Sequence, residues 1–202
     1  MHKNFLDWES GNIVEMSDWL ERARTQGTYS EYELNVLLPA FWKNKEMLVI
    51  NKNKQNRHIV GSKEFAYFDA KSQKEGKIGY SYFYPHIDIL KILPRIIGTG
   101  ILEFENGKPK RETVKCSYNI GVGGRIGLVV TDVLSIRYST TGVHAFPVHP
   151  NVYDDIVNRL KKKNRQARFT ASCRSVLIGF ISNIQSFFEK VKNMVKKVVN
   201  EL

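Results

Sequence analysis

The sequence predicts an α+β fold, with N-terminal helices, then an antiparallel β-meander sheet, then a long C-terminal amphipathic helix. Three observations support this prediction. Apolar residues recur at helical spacing through the first half of the chain. After Gly98 the period becomes two, and the dipeptides Asn106-Gly107 and Gly123-Gly124 mark turns. Residues 176–202 then carry apolar side chains at every seventh position.

Composition restricts the classes of protein that the chain can belong to. Its 202 residues are 42% hydrophobic and 25% charged, which predicts one folded domain, alone or with a helical appendage. The formal net charge of +11 favours a polyanionic partner, either nucleic acid or an acidic membrane surface. A soluble basic protein, or one matched to an acidic inhibitor, stays an alternative.

The N-terminal region, residues 1–49, is predicted to be helical. The first helix is indicated by apolar residues at helical spacing, and the second by a capping box formed by Ser30 and Glu33. We expect the second helix to run towards Asn44 and to kink at Pro39. The apolar residues of the first helix are Ile13, Met16, Leu20 and Ala23.

A basic, amide-rich connector, residues 51–63, leads into the middle of the chain. It contains Arg57 and His58 side by side, followed at short range by Gly61 and Ser62. Helices are predicted over 62–73 and 86–97, the second interrupted by Pro94, with an aromatic extended segment at 79–84 between them. His58 has no obvious partner near it in the sequence, so both a structural and a functional role are open.

The sheet is predicted from residue 101 onward. Strands are expected over 101–105, 113–122 and 125–131, joined by the two glycine turns. The alternation over 113–122 places Cys116 on the apolar face, where it acts as a small buried hydrophobe rather than a nucleophile.

The hairpin over 136–150 is the segment in which chemistry-bearing residues gather. A two-residue turn at Thr141-Gly142 would set Ser139 opposite His144 and Arg137 opposite Phe146. That face then holds a guanidinium, a hydroxyl and an imidazole, a set suited to binding a phosphate and moving protons near it. The other face is largely apolar and comprises Ile136, Tyr138, Thr140, Val143 and Ala145.

The C-terminal extension, residues 151–202, is predicted to be helical. A helix begins near Asp154, and residues 176–202 form a heptad seam flanked by lysines. Three roles are open for this seam: packing on the chain's own helices, binding a partner helix, or lying on an acidic membrane surface. The remaining residues, 50–150, form the predicted α+β domain.

Several kinds of site are missing from the sequence. Cys116 and Cys173 have neither disulfide-framework nor metal-ligand spacing, and no phosphate-binding glycine loop, HExxH or CxxC motif occurs. No metal or other cofactor is therefore predicted. The first ten residues carry acids where a signal peptide would be apolar, and no apolar run reaches the roughly 20 residues of a membrane span.

Two blocks of sequence resemble a known family. NKNKQNRHIVGSKEF, residues 51–65, is similar to the opening signature of the polymorphic toxin type 50 domain, and YSTTGVHAFP, residues 138–147, to its closing signature. The resemblance covers about residues 50–150. It implies a barnase–EndoU–colicin–RelE-like fold and a ribonuclease activity, in a family found at the tips of secreted bacterial toxins and at the ends of phage head proteins.

The resemblance also implies which residues matter. The matching positions are His58, Gly61, Ser62, Ser81, Thr99, Tyr138, Ser139, Thr141 and His144. Two positions depart from the family pattern. Arg137 stands where a histidine is frequent, and Ala145-Phe146 replaces two β-branched residues.

From these observations, the leading hypothesis is a metal-independent endoribonuclease toxin. The RNA 2′-hydroxyl would attack the adjacent phosphate and give a 2′,3′-cyclic phosphate, with His58 and His144 as base and acid in either order. Arg57 and Arg137 would neutralise the developing charge, and Ser139 and Thr141 would hydrogen-bond the phosphate oxygens. By the same hypothesis, further substrate contacts come from Ser62, Ser81, Thr99 and Tyr138.

Partners and location follow from this hypothesis. RNA is the expected substrate, an acidic immunity or antitoxin protein the expected inhibitor, and the cytoplasm the expected site of action, reached by delivery or in association with a phage. The alternative is a non-catalytic nucleic-acid-binding or structural phage protein that keeps the same fold.

Overall fold

The computed structural model describes residues 5–6, 13–77, 79–124 and 127–170, together with positions 172, 178 and 182. The chain divides into two compact units, Met1–Leu160 and Lys161–Leu202. The first unit combines helices with antiparallel sheets, which confirms the α+β prediction. The predicted heptad seam over 176–202 lies almost entirely outside the described residues.

The N-terminal region forms a short ribbon followed by helices. Its elements are strands β1 (Phe5–Leu6) and β2 (Ile13–Val14), helix α1 (Met16–Gln26), a π-helical turn (Glu33–Leu37), helix α2 (Leu38–Asn44) and a 3-10 turn (Lys45–Met47). Ile13, which the sequence pattern assigned to the first helix, lies in β2 instead.

The predicted capping box is present before α2. The backbone N–H of Ser30 donates to Glu33 Oε2 at 2.8 Å, and the N–H of Glu33 donates to Ser30 Oγ at 3.3 Å. The π-helical turn comes directly before Pro39, which has no N–H to give to the carbonyl of Asn35. The wider turn therefore lies where the kink was predicted, and such turns are one of the usual causes of helix kinks.

Helices and strands alternate through the rest of the first unit. They are α3 (Lys52–Asn56), α4 (Lys63–Lys74), β3 (Tyr82–Phe83), α5 (Ile89–Ile96), β4 (Ile101–Glu105), β5 (Lys108–Lys115), β6 (Gly121–Gly123), β7 (Val129–Thr131), β8 (Val133–Ser139) and β9 (Gly142–Pro147). A sixth helix, α6, covers 151–170.

The strands form two larger sheets and not one continuous meander. A four-stranded sheet has the order β4-β5-β8-β9, and a three-stranded sheet has the order β3-β6-β7. The strand predicted over 113–122 is therefore two strands, because the chain leaves the first sheet at Cys116 and enters the second at Gly121. A Cβ at Gly121 would lie 2.2 Å from the carbonyl oxygen of Tyr82, so β6 requires glycine to approach β3 this closely.

The hairpin β8–β9 has the predicted faces but a different register. Ser139 pairs with Gly142, Arg137 with His144 and Ser135 with Phe146, so the turn is Thr140-Thr141. The prediction placed every partner two residues away from its position. A shift of two residues keeps each side chain on its own face, and Arg137, Ser139, His144 and Phe146 remain on one side of the sheet.

The other face of the four-stranded sheet packs on the helices. Ile136, Val143 and Ala145 are at most 1% exposed, and they share a single core with Leu38, Trp42 and Leu93. The ring of Tyr138 meets Phe41 edge to face at 5.7 Å. Cys116 is buried at 5% exposure, as the alternation predicted.

The free edge of β9 is covered by residues 49–55. The N–H of Val143 donates to the carbonyl of Val49, and the N–H of Asn51 donates to the carbonyl of Val143, both at 2.8 Å. The side chain of Gln55, on α3, then binds both backbone groups of Ala145. This edge brings the first sequence block, with Arg57 and His58, against the second block, with His144.

Candidate active site

A cavity of about 880 Å³ lies over the polar face of the four-stranded sheet. Its lining comes from α4, the segment before β3, β5, the loop after β6, β8, β9 and the start of α6. The lining residues are His58, Ser72, Lys77, Gly79, Tyr80, Ser81, Arg111, Gly124, Ser135, Arg137, His144, Phe146, Pro147, Val148 and Val152. Two imidazoles and two guanidiniums therefore open onto one space.

A row of ionisable residues crosses all four strands at the floor of the cavity. Glu103 pairs with Arg111, Arg111 with Arg137, and Arg137 with His144. Neighbouring strands lie about 4.8 Å apart, so each side chain in the row stands next to the following one. Glu103 balances part of this charge, since it forms ion pairs with Arg111 and with Arg159.

His58 and His144 lie next to each other. Their ring centroids are 6.3 Å apart and their planes differ by 14°. His58 Nδ1 is 2.8 Å from the carbonyl oxygen of Ser81, which can only accept, so this nitrogen carries the proton. The other ring nitrogen, Nε2, is then left with a lone pair.

Aromatic rings hold His58 in position. The imidazole stacks on Tyr80 at 4.9 Å and on Phe146 at 5.2 Å between centroids. Only 4% of His58 is exposed, and that burial is greater than a freely accessible catalytic histidine would show. Phe68 extends the stack beyond Tyr80, and the Arg57 guanidinium lies 4.2 Å above the Phe68 ring.

Burial and neighbouring cations keep both imidazoles neutral. Desolvation lowers the pKa of His58 to about 4, and the nearby His144 and Arg57 contribute to that shift. Desolvation also lowers the pKa of His144 to about 4, together with the positive charges of Lys54, Arg57 and Arg137. Both side chains therefore start as proton acceptors at neutral pH in the free protein.

The remaining predicted catalytic residues surround this pair without all lining the cavity. Arg137 is part of the lining, whereas Arg57 lies behind the ring stack and hydrogen-bonds Tyr80. Ser139 and Thr141 are exposed at the tip of the hairpin, where their hydroxyls accept from Lys54 Nζ at 3.4 and 3.2 Å. These two hydroxyls therefore help to join the first sequence block to the hairpin.

Of the predicted substrate contacts, only Ser81 lines the cavity. Ser62 is the N-cap of α4, where its Oγ accepts from the N–H of Phe65 and donates to the carbonyl of Asn56. Thr99 donates to the carbonyl of Ile96. Tyr138 lies on the opposite face of the sheet. The structure gives Ser62, Thr99 and Tyr138 packing and hydrogen-bonding roles outside the cavity.

Tyr138 and the turn around Thr99 meet at a buried carboxylate, Glu112, which is 0% exposed. The Tyr138 hydroxyl donates to Glu112 Oε2 at 2.5 Å, and the backbone N–H groups of Gly98 and Gly100 donate to the same carboxylate. Burial is the main cause that raises the pKa of Glu112. This cradle gives Tyr138 and the turn around Thr99 a structural role in holding the Glu112 carboxylate.

Sequence reasoning missed several residues of the site. Four of them line the cavity, namely Arg111, Ser135, Tyr80 and Lys77. A fifth, Lys54, lowers the pKa of His144 through its positive charge. The position of Arg111 depends on how β5 pairs with β8, which no local pattern specifies. Glu112 is two residues before the buried Val114 on β5, so the two side chains share a face of the sheet. The alternation in the sequence therefore indicated that Glu112 points into the core.

The described residues contain no group of three or more His, Cys, Asp or Glu placed to hold a metal ion. In the same part of the chain, no helix is long and apolar enough to cross a membrane.

The fold and the cationic cavity define an α+β domain suited to an anionic ligand, and comparison with known families gives its class. Residues 50–147 match the family model described as bacterial toxin 50. The chain therefore carries a domain of this polymorphic toxin family, as the two sequence blocks predicted, and the presence of this domain supports a toxin function. Membership of the family points to an immunity protein as a partner. No curated protein and no solved structure matches the chain.

Proposed function

We propose that the toxin domain is an endoribonuclease that needs no metal ion. The observation that carries this proposal is the parallel pair of imidazoles, 6.3 Å apart, in a cavity whose floor holds the guanidinium of Arg137 beside His144. Phosphodiester cleavage by a neighbouring hydroxyl requires a proton acceptor, a proton donor and positive charge near the phosphate. These groups supply all three.

In the proposed reaction, the RNA 2′-oxygen forms a bond to phosphorus and the bond from phosphorus to the 5′-oxygen breaks. One imidazole removes the proton of the 2′-hydroxyl, and the other gives a proton to the leaving 5′-oxygen. The products are a 2′,3′-cyclic phosphate and a free 5′-hydroxyl. Each proton transfer contributes roughly 10²–10⁴-fold to the rate.

The surroundings of the two histidines favour His58 as the base and His144 as the acid. The Ser81 carbonyl fixes the proton on His58 Nδ1, which leaves Nε2 with the lone pair that a base requires, and burial keeps the resting ring neutral. The pKa of His144 is lowered in part by Lys54, Arg57 and Arg137, whose charges a bound phosphate would offset. Substrate binding would therefore protonate His144 in preference to His58.

The test is cleavage of a labelled RNA by the purified protein in EDTA. We expect His58→Ala and His144→Ala each to lower the cleavage rate at least 100-fold, and the matched control His86→Ala, at an exposed position outside the cavity, to cleave at the wild-type rate. The cyclic phosphate would be detected at the 3′ end of the upstream product, and the free 5′-hydroxyl on the downstream product. Wild-type cleavage by both His58→Ala and His144→Ala would contradict the mechanism.

The burial of His58 favours a second candidate function, which is nucleic-acid binding without cleavage. An imidazole that is 4% exposed and stacked between two rings also fits a purely structural role. In the same EDTA experiment, retarded but intact RNA would support this second function. In either case, the cationic cavity is suited to an immunity protein with an acidic surface.

A further inference from the structure

A second row of residues, which contains two hydroxyls, lies beside the ionisable row on the cavity floor. Thr113 pairs with Ser135 and Ser135 with Phe146, two residues along each strand from Arg111, Arg137 and His144. Because alternate residues of a strand share a face, both rows point to the same side of the sheet. The cavity floor is therefore wider than the immediate surroundings of the two imidazoles.

Buried polar atoms in this region have no partner among the described residues. Ser135 lines the cavity and is 2% exposed, and its Oγ makes no hydrogen bond. Arg111 Nε is also buried and unbonded, although its terminal nitrogen lies 3.9 Å from Glu103. An unpaired buried polar group costs about 1–3 kcal/mol, so the site is built for a ligand that supplies the missing acceptors.

The donors and the charge around this position favour a phosphate group. A guanidinium Nε–H and a hydroxyl both donate to oxyanions, and charge-assisted bonds of this kind are the stronger ones. Arg111 and Arg137 line this part of the cavity. Glu103, the carboxylate beside Arg111, divides its negative charge between ion pairs with Arg111 and Arg159. A ligand with several negatively charged oxygens carries acceptors for both kinds of donor.

The position relative to His144 indicates which phosphate this is. Arg111 is two strands away from His144, or about 10 Å. Ser135 is on the strand next to His144, and it pairs with Phe146, two residues further along. At this separation between the strands, we assign Arg111 and Ser135 to a different phosphate from the one in contact with His144. A neighbouring phosphate on the same strand of the ligand can reach both residues.

We infer that Ser135 and Arg111 form a second phosphate subsite, which binds the phosphate adjacent to the one that the His58–His144 pair acts on. The substrate class is therefore an oligonucleotide with at least two consecutive phosphates. The inference rests on the proposed function, because that proposal places the first phosphate at the histidine pair.

The experiment measures binding with ligands that the protein cannot cleave. The probes are a 2′-deoxy dinucleoside monophosphate, with one phosphate, and the same molecule with an added 5′- or 3′-terminal phosphate, titrated by calorimetry or NMR. We expect one of the two added phosphates to lower the dissociation constant about tenfold in the wild-type protein. In Arg111→Gln and Ser135→Ala, we expect that gain to fall below about threefold, with unchanged affinity for the one-phosphate ligand.

Arg95→Gln is the matched control, since Arg95 is an exposed arginine on α5 outside the cavity, and it should keep the full gain. The inference is overturned if the wild-type protein shows no gain or if the gain survives in both variants. An equal loss of affinity for both ligands in Arg111→Gln would also overturn the inference. So would a gain that depends on the base next to the terminal phosphate, because the subsite would then read a base.

Failure of the subsite and failure of the ribonuclease proposal are separable. If the added phosphate raises the affinity but the protein does not cut RNA, the subsite is supported and the cleavage mechanism is rejected. If the protein cuts RNA but the added phosphate does not raise the affinity, the cleavage mechanism is supported and the subsite is rejected.

Discussion

The side-chain amide of Gln55 hydrogen-bonds both backbone groups of Ala145, a residue 90 positions further along the chain. The N–H of Ala145 donates to Gln55 Oε1 at 2.7 Å, and Gln55 Nε2 donates to the carbonyl of Ala145 at 2.9 Å. Gln55 is 0% exposed. Since His58 lies three residues after Gln55 and His144 directly precedes Ala145, this pair of bonds helps to hold the segments that carry the two imidazoles together.

We therefore expect Gln55→Ala to lower both stability and activity. The substitution leaves a buried N–H and a buried C=O unpaired, and the free energy of unfolding should fall by about 2–5 kcal/mol. Urea unfolding measures this change, and RNA cleavage by the folded fraction should fall as well. Gln73→Ala is the control, because Gln73 bonds Asp69 on the exposed side of α4, and its effect should stay within about 0.5 kcal/mol. An equally small effect of Gln55→Ala would show that the edge of β9 is held by other contacts.

The structure also predicts that Tyr138 stabilises the fold without binding substrate. Tyr138→Phe removes the hydrogen bond to the buried carboxylate of Glu112, and the free energy of unfolding should fall by about 1.5–3 kcal/mol. The KM and kcat of the folded enzyme should not change. Tyr67→Phe, at a residue that is 64% exposed, is the control for loss of a tyrosine hydroxyl. A raised KM in Tyr138→Phe would assign Tyr138 a contact with substrate after all.

The hairpin shows how much of the site the sequence could predict. Alternation placed the right side chains on each face, and a register error of two residues did not change the faces. The error arose because Gly142 was taken as a turn residue. Its φ is 110°, and a Cβ there would lie 2.4 Å from the carbonyl oxygen of Val49. The glycine is needed where residues 49–51 approach the strand, which is a long-range contact that turn rules do not contain.

Arg111 and the division into two sheets were missed for the same kind of reason. Arg111 enters the cavity only because β5 pairs with β8 in one particular register. The chain after Cys116 keeps an apolar alternation while it changes sheets, so periodicity alone cannot locate the break. Local patterns predicted the elements and their faces, and the pairing between distant elements decided which residues share the site.

Ligand binding should raise the pKa of His144. Its low value, about 4, depends partly on Lys54, Arg57 and Arg137, and a bound anion offsets their charge. NMR titration of the imidazole Cε1–H signals should show the His144 midpoint moving up by a unit or more in saturating 2′-deoxy dinucleotide. The midpoint of His58 should move less, because burial is the largest cause of its lowered pKa. An unchanged His144 midpoint in the saturated complex would exclude it as the proton donor.

Acid should destabilise the protein through His58 before the carboxylates titrate. The pKa of His58 is about 4 in the folded protein against 6.5 for the free side chain, so the unfolded chain binds more protons between these values. Stability is therefore fully present above pH 6.5 and falls as the pH is lowered towards 4. A shift of this size is worth about 3 kcal/mol.

The measurement is the free energy of unfolding in urea at half-unit steps from pH 7.5 to 4.5. His58→Phe keeps an aromatic ring between Tyr80 and Phe146 but removes the titrating group. Its stability should be lower at pH 7.5, because the Ser81 carbonyl loses its donor, and it should depend less on pH than that of the wild-type protein. Parallel curves for the two proteins would mean that His58 titrates normally, and the imidazole would then be far more accessible to water than its packing indicates.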